Sequence, residues 1–516
     1  LLKTLYELLP RANDWSPARK SWRVDLLAGL TVAIVALPLA LAFGVTSGMG
    51  AQAGLITAII AGAVAAIFGG SNLQVSGPTG AMTVVLVPVV ASHGAQGVLL
   101  VGVLAGVILI GLAVARLGRL VRFLPLPVIE GFTAGIAVVI ALQQFPAALG
   151  IEDAEGDKVW QVALDAIVKF VASPNVIPLV MALAVAAAML FGVRYWPGVP
   201  FSLIAVIVST VVVAAGGLSL ESIGQLPAGI PAPNFEFMDL SMVQALLPSA
   251  VAVAALAGLE SLLSATVADG MRVGERHDPD RELFGQGLAN LVSPIFGGIP
   301  ATAAIARTAV NVRAGARTRL AALSHAVILA AVVYFLSGLV AHIPLAALAG
   351  VLLATTVRMV DMRGIRALAR ATKRDALVLV LTFAVTVMLD LVIAVVAGVI
   401  VAIILALRSI ARSARLQVVP LDSSDHSEEE AALLAQHVVA YRLEGPLFFA
   451  AANRFLIGLT DVGGVKVVIL RLSYLTNLDA TGARLLGEAI DHLERRGVVV
   501  AISGASRVHD AILKAL

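Results

Sequence analysis

Two chain-breaking stretches interrupt long apolar runs: Ser76-Gly77-Pro78-Thr79-Gly80-Ala81, and Pro300-Ala301-Thr302-Ala303-Ala304. A helix that starts inside a bilayer leaves its first N–H groups unpaired and turns the positive end of its dipole toward the gap. Such an end holds anions. Proline suits a first helical turn, Gly77 and Gly80 let backbone come close to a ligand, and Thr302 is placed to cap the second helix. For either stretch alone, a Gly/Pro kink in an ordinary span is the plainer account. Two at repeat-related positions favour a site. Ile67-Phe68-Gly69-Gly70 recurs as Ile295-Phe296-Gly297-Gly298, 228 residues later, just before the second stretch.

Glu260 is the sole acidic residue between Asp239 and Asp269, within an apolar run. A carboxylate there is costly unless it faces a cavity or a partner, so function is the default reading. It suits a proton carrier. Ser264, one helical turn on, shares its face, and the pair could instead ligate sodium through oxygens. A structural hydrogen bond between helices is the bland alternative. Arg307 stands alone in the otherwise uncharged run from Phe284 to Asn311. It can supply full charge to an anion, pair with Glu260, or snorkel toward Arg313.

These residues need elements to hold them. Of 516 residues, 59% are hydrophobic and 13% charged, and positions 26 to 115 carry no Asp, Glu, Lys or Arg. Soluble domains carry roughly 25% charge. One uncharged stretch of that length exceeds by several-fold the ~20 residues of a single membrane helix. A soluble enzyme is excluded for most of the chain. Fourteen apolar segments lie between residues 25 and 411, among them 74–92, 95–115, 284–297 and 301–313. The 228-residue offset spans seven of them, so the second copy enters from the opposite side. The expected fold is all-α, two inverted repeats of seven transmembrane segments.

Loops after even-numbered segments are basic: Arg116 and Arg119, Arg194, Arg272, Arg313 and Arg317, Arg358 to Arg374, Arg412 and Arg415. The long odd loops 143–174 and 217–241 are acidic. By the positive-inside rule both termini are cytoplasmic, with residues 1–24 as an N-terminal arm. The first apolar segment reads as a retained span, not a cleaved signal, and a start at Leu1 suggests that a native N-terminus lies upstream. The cluster Arg276-His277-Asp278-Pro279-Asp280-Arg281 reads as a solvated loop, and His93, His325 and His342 as packing residues. Cysteine is absent and no P-loop pattern occurs, so neither a thiolate metal site nor an ATPase is expected, and no cofactor. Residues 412–436 read as a polar linker. Beyond them, strands at 437–443, 465–472 and 498–503 alternate with helices at 447–459, 480–496 and 508–516, implying a small parallel α/β domain over 437–516.

The residues together resemble a known family. Gly29-Leu30-Thr31-Val32-Ala33 with Leu37-Pro38, Ser76-Gly77-Pro78-Thr79, and Gly285-Gln286-Gly287-Leu288-Ala289-Asn290 before Phe296-Gly297-Gly298 resemble SulP-type anion permeases. Leu478-Asp479-Ala480-Thr481-Gly482 resembles the signature loop of a STAS domain. Leu259-Glu260-Ser261-Leu262-Leu263 and Ala301 to Arg307 are most similar to the bacterial C4-dicarboxylic acid transporter branch. Leu39 departs from the Gln that many relatives carry. The resemblance implies a core (about 25–115 and 242–340) moving against a gate (about 121–216 and 344–411), and a homodimer in the cytoplasmic (inner) membrane. It implies an anion held by Ser76, Gly77, Pro78, Thr79, Gly80, Ala81, Ala301, Thr302, Ala303 and Arg307, with Glu260 and Ser264 in coupling. Proton symport of a fumarate-like dicarboxylate is the expectation. Sodium-coupled bicarbonate transport and uncoupled exchange or conduction of sulfate or chloride are the alternatives. The lipid bilayer and a regulatory partner of the STAS domain are further expected partners; nucleic acid is not. Thr481 stands where STAS relatives carry a phosphorylatable serine, and helix capping by Asp479 or Thr481 is the simpler role.

Overall fold

A computed structural model describes residues 6–119, 125–156, 158–196, 199–272, 276–389, 391–420, 427–448 and 465–515. The chain divides into two compact units, Leu1–Gly398 and Val399–Leu516. The first is built almost wholly of helices, because backbone groups in hydrocarbon must be paired within their own segment. In order these are α1 (Ala18–Thr46), α2 (Ala51–Phe68), α3 (Gly80–Val114), α4 (Leu126–Gln143), α5 (Phe145–Leu149), α6 (Val159–Ala172), α7 (Val176–Tyr195) and α8 (Phe201–Gly216). There follow α9 (Val243–Met271), α10 (Pro279–Val292), α11 (Ile305–Arg313), α12 (Arg319–Val340), α13 (Leu345–Met359), α14 (Met362–Ala371), α15 (Lys373–Met388) and α16 (Leu391–Ser413). Two-residue strands, β1 (Ser76–Gly77) and β2 (Thr302–Ala303), precede α3 and α11.

Among the described residues, nine helices are long and apolar enough to cross a membrane. Each of the fourteen apolar segments holds helix, but some of that helix is short, as in α8, α10 and α11. α3 is broken at Gly94, where φ is 63° and ψ is −167°, so its two halves correspond to the expected segments 74–92 and 95–115. It begins at Gly80, not near 74, because Ser76 and Gly77 are drawn into β1.

Packing sorts the helices into two groups. α10 and α9 lie on α3, α10 and α12 on α2, and α12 on α1; separately, α15 and α13 lie on α4, and α13 on α7. Small residues permit the closest approaches. Gly54 of α2 faces Gly44 of α1, and a Cβ on Gly54 would run into the Ala40 carbonyl.

The stretch 276–281 is a solvated loop only in part: Arg276 and Asp278 are exposed, and from Pro279 the chain is helix. Asp278 caps α10 by accepting from the Asp280 and Arg281 N–H groups at 3.0 and 3.1 Å. Asp280 and Arg281 are buried, Arg281 against the N-terminal arm and Asp280 against the turn that follows α3. Arg281 pairs with Asp14 at 2.6 Å, and Asp280 accepts from the Gly118 N–H at 2.9 Å. Burial pushes the Asp14 carboxyl up, yet the Arg281 guanidinium and the Arg11 N–H outweigh it and hold it below its ordinary value. A carboxylate depressed on folding adds stability above its unfolded pKa, and that stability is lost as pH falls through the folded pKa. The melting temperature of the detergent-solubilised protein should therefore exceed that of Asp14→Asn at neutral pH. The two should converge in acid below the usual carboxylate range. A gap that stays constant to low pH would contradict the charge-based account of this latch.

In the second unit, β3 (Arg415–Val419), α17 (Glu428–His437), β4 (Val438–Leu447), β5 (Val467–Arg471), β6 (Leu475–Leu478), α18 (Ala480–Arg495), β7 (Val499–Ser503) and α19 (Arg507–Ala515) follow one another. The sheet runs β3-β4-β5-β7, with β6 pairing the end of β4. β4, β5 and β7 are parallel; β3 is antiparallel to β4, making the sheet mixed. The stretch 412–436 is thus not merely linker. β3 pairs Arg415 with Glu444 and Val419 with Ala440, at the edge of the sheet with its side chains largely exposed. Ser427 caps α17 through the Glu430 N–H. The helix expected at 447–459 falls mainly outside the described residues. Asp479 caps α18 by accepting from the Gly482 N–H at 2.7 Å.

Candidate functional site

The two chain breaks meet. β1 and β2 pair antiparallel, Ser76 opposite Ala303 and Gly77 opposite Thr302. The Ala304 N–H extends the ladder by donating to the Val75 carbonyl at 3.1 Å. α3 and α11 start from this miniature sheet, so two helix N-termini from opposite halves of the chain open beside each other. Neither Thr79 nor Ala304, the residues at the two caps, accepts a side-chain capping bond from its own helix. This differs from the expected caps. Pro78 lies before the helix rather than in its first turn, and Thr302 is extended strand whose hydroxyl faces Ser261 at 3.0 Å. Both first turns therefore lack the side-chain acceptor that commonly occupies a helix N-terminus.

Arg307, in the first turn of α11, crosses to the other tip. Its Nη2 donates to the Pro78 carbonyl at 2.5 Å, while Nη1 is buried without a hydrogen-bond partner. The side chain is 1% exposed, so it does not snorkel. No ion pair joins it to Glu260. A Cβ on Gly77 would come 2.5 Å from Nη1 and 3.3 Å from the Ala58 Cα, so a residue without a side chain is required where the guanidinium passes. Glu260 accepts from the Thr79 hydroxyl at 3.0 Å, which puts the carboxylate against the tip of α3. Ser264 points elsewhere: its hydroxyl donates to Thr308 Oγ1 at 2.9 Å, and Thr308 in turn accepts from the Val75 N–H at 3.2 Å. Glu260 and Ser264 share a helix face without sharing a partner.

The first tip abuts the second helix group. A Cβ on Gly80 would strike Ile140 of α4 and crowd Phe43 of α1. Ala81, Ala301 and Ala303 are buried, as is Leu39.

The residues that hold the tips carried no assigned role in the sequence. Asn290 clamps the second tip in both directions: its Oδ1 accepts from the Ala301 N–H at 2.8 Å and its Nδ2 donates to the Ala301 carbonyl at 2.9 Å. One turn earlier on α10, Gln286 donates to Ser76 Oγ at 2.6 Å and to Glu282 at 3.0 Å. Glu282 accepts from the N–H groups of Gly70 and Ser71, fixing the turn that leads into β1. Ser261 accepts from the Ala303 N–H at 3.1 Å, and Thr57 from the Ile299 N–H at 2.7 Å. The available signal was the pair Gln286 and Asn290, polar residues at i and i+4 in the uncharged part of α10, both wholly buried. His325 is also wholly buried, without a side-chain partner, and His93 and His342 lie apart from it.

Comparison with known proteins identifies the family. Residues 22–382 match the Sulfate permease family, and residues 432–516 the STAS domain. The chain is 35% identical over 496 residues to the putative sulfate transporter YvdB of Bacillus subtilis, covering 94% of this chain and 92% of that one. It is 32% identical over 502 residues to the bicarbonate transporter BicA of Synechocystis, covering 93% and 88%. A solved structure of SLC26A9 superimposes with a TM-score of 0.86 at 16% identity, over 100% of this chain and 90% of that one, and so shares the fold. The chain belongs to the sulfate permease family: it is an anion transporter with a C-terminal STAS domain, and not an enzyme.

Proposed function

We propose that the chain is a secondary active transporter that carries a small organic anion, such as a fumarate-like C4-dicarboxylate, together with a proton across the cytoplasmic membrane. The observation that carries this reading is the pairing of β1 with β2. It sets two positive helix ends and the uncommitted Nη1 of Arg307 around one gap, with a carboxylate at its edge. The anion would lie between Ser76–Ala81 and Ala301–Ala303, against Arg307. Glu260 would carry the proton, neutralising itself when the anion binds. In this reading fourteen segments cross the membrane, both termini are cytoplasmic, and the protein works as a homodimer. The core, about 25–115 and 242–340, moves against the gate, about 121–216 and 344–411, exposing the gap to either side in turn. Ser264 bonds Thr308 rather than facing Glu260, which supports the proton over sodium. The STAS domain, 437–516, would serve dimer contacts or regulation.

The relatives' names favour a second reading, in which the anion is sulfate or bicarbonate at the same gap. Proteoliposomes decide. Uptake of fumarate, bicarbonate, sulfate and chloride is compared under an imposed pH gradient. Acid outside should stimulate the preferred anion, and Glu260→Gln should abolish that stimulation while sparing binding. Uptake indifferent to pH, with an unimpaired Gln variant, would reject the coupling role.

A further inference from the structure

Between α13 and α15 the chain makes the short helix α14, which packs against α4 and α15. Its sequence sets Arg363, Arg366 and Arg370 at i, i+3 and i+7, and Lys373 and Arg374 open the next helix just beyond the extended Thr372. Such spacings share one helical face. Asp361 starts the helix by accepting from the Arg363 N–H at 3.0 Å. Ile365 and Leu368 are half-buried, whereas Arg363, Arg366, Arg370 and Lys373 are exposed, and Met362 adds an apolar side chain that is 50% exposed. Among the described residues none of Arg358, Arg363, Arg366, Arg370, Lys373 or Arg374 forms an ion pair. Arg313, at the end of α11, adds a like charge near Arg358.

We propose that α14 is a docking surface for the phosphate headgroups of anionic phospholipids. A row of unpaired cations repels itself and needs counter-charge from outside the chain. Membrane helices run directly into both ends of α14, which keeps it within a few residues of the lipid surface. Basic amphipathic helices at that depth bind anionic lipid. A soluble acidic protein would meet the cations but would leave Met362 and its apolar edge uncovered. The lipid offers both layers.

The chain has no cysteine, so Met362→Cys gives a single labelling position for an environment-sensitive fluorophore. The labelled full chain is placed in nanodiscs of phosphatidylcholine, with or without phosphatidylglycerol. With phosphatidylglycerol the emission should shift to the blue, and quenching by a soluble quencher should fall about threefold, less so at high salt. The variant Arg363→Gln/Arg366→Gln/Arg370→Gln should lose the response, and the matching triple lysine variant should keep it. Equal spectra in both discs, a response surviving in the triple glutamine variant, or the same shift produced by inorganic phosphate in phosphatidylcholine discs would each overturn the proposal. If the glutamine variant misfolds, the two disc compositions on unsubstituted arginines still decide.

Discussion

Arg307→Gln is expected to weaken anion binding to the purified transporter about 100-fold, equivalent to nearly 3 kcal/mol, the scale of one charge-assisted hydrogen bond made where water is excluded. The guanidinium is held from one side only. Nη2 is spent on the Pro78 carbonyl, which aims the side chain across the gap, and Nη1 is left with nothing to donate to. A buried donor without an acceptor is costly. An anion bound beside Nη1 would relieve that cost and gain the charge. Arg307→Lys should recover only part of the affinity, because an ammonium cannot hold Pro78 and a ligand with one fixed fork. Gly77→Ala tests the same geometry from the other tip, since its Cβ falls 2.5 Å from Nη1 and must displace the guanidinium. Titration calorimetry with fumarate, bicarbonate and sulfate in turn reads all three variants. Unchanged affinity in Arg307→Gln, in protein of normal melting temperature, would remove Arg307 from the site.

The parts of this architecture that the sequence announces are those with long-range pattern. Uncharged runs give the helices, Gly and Pro at 76–80 and at 300 give the breaks, and an intramembrane Glu260 and Arg307 stand out because charge is expensive there. Short-range structure is silent. Two-residue strands have no periodicity, so β1 and β2 are visible only once both breaks are known to meet. Thr302 looks like a cap by type, but Ser261 and the ladder pull its backbone into an extended form. Asp278 to Arg281 read as solvated because charged loops usually are. The burial of Arg281 depends on Asp14, more than 260 residues away, and no local feature encodes that partner. In the second unit β3 hides for a related reason: it is a five-residue edge strand between a membrane helix and a polar stretch, and its partner β4 lies some twenty residues on.

Asn290→Leu should be the most damaging substitution outside the gap itself. Asn290 makes two reciprocal bonds to one residue, Ala301, whose backbone is wholly buried at the entry to β2. Leucine fills a similar volume but leaves the Ala301 N–H and carbonyl stranded, at about 1–3 kcal/mol each. The tip of α11 then loses the support that fixes Arg307 relative to Pro78, so affinity and stability should fall together. Asn290→Asp keeps an acceptor for the Ala301 N–H but sets a second oxygen against the Ala301 carbonyl, and should lie between leucine and wild type. Gln286→Leu provides the contrast. It removes bonds to the Ser76 side chain and to Glu282, yet Ser76 stays registered through its backbone opposite Ala303 and Glu282 keeps the Gly70 and Ser71 N–H groups, so its loss should be smaller. Melting temperature and anion affinity, measured on the same preparations, rank the variants. An Asn290→Leu protein that melts and binds like wild type would mean that β2 is held by its strand pairing and by Ser261 alone, with α10 a bystander.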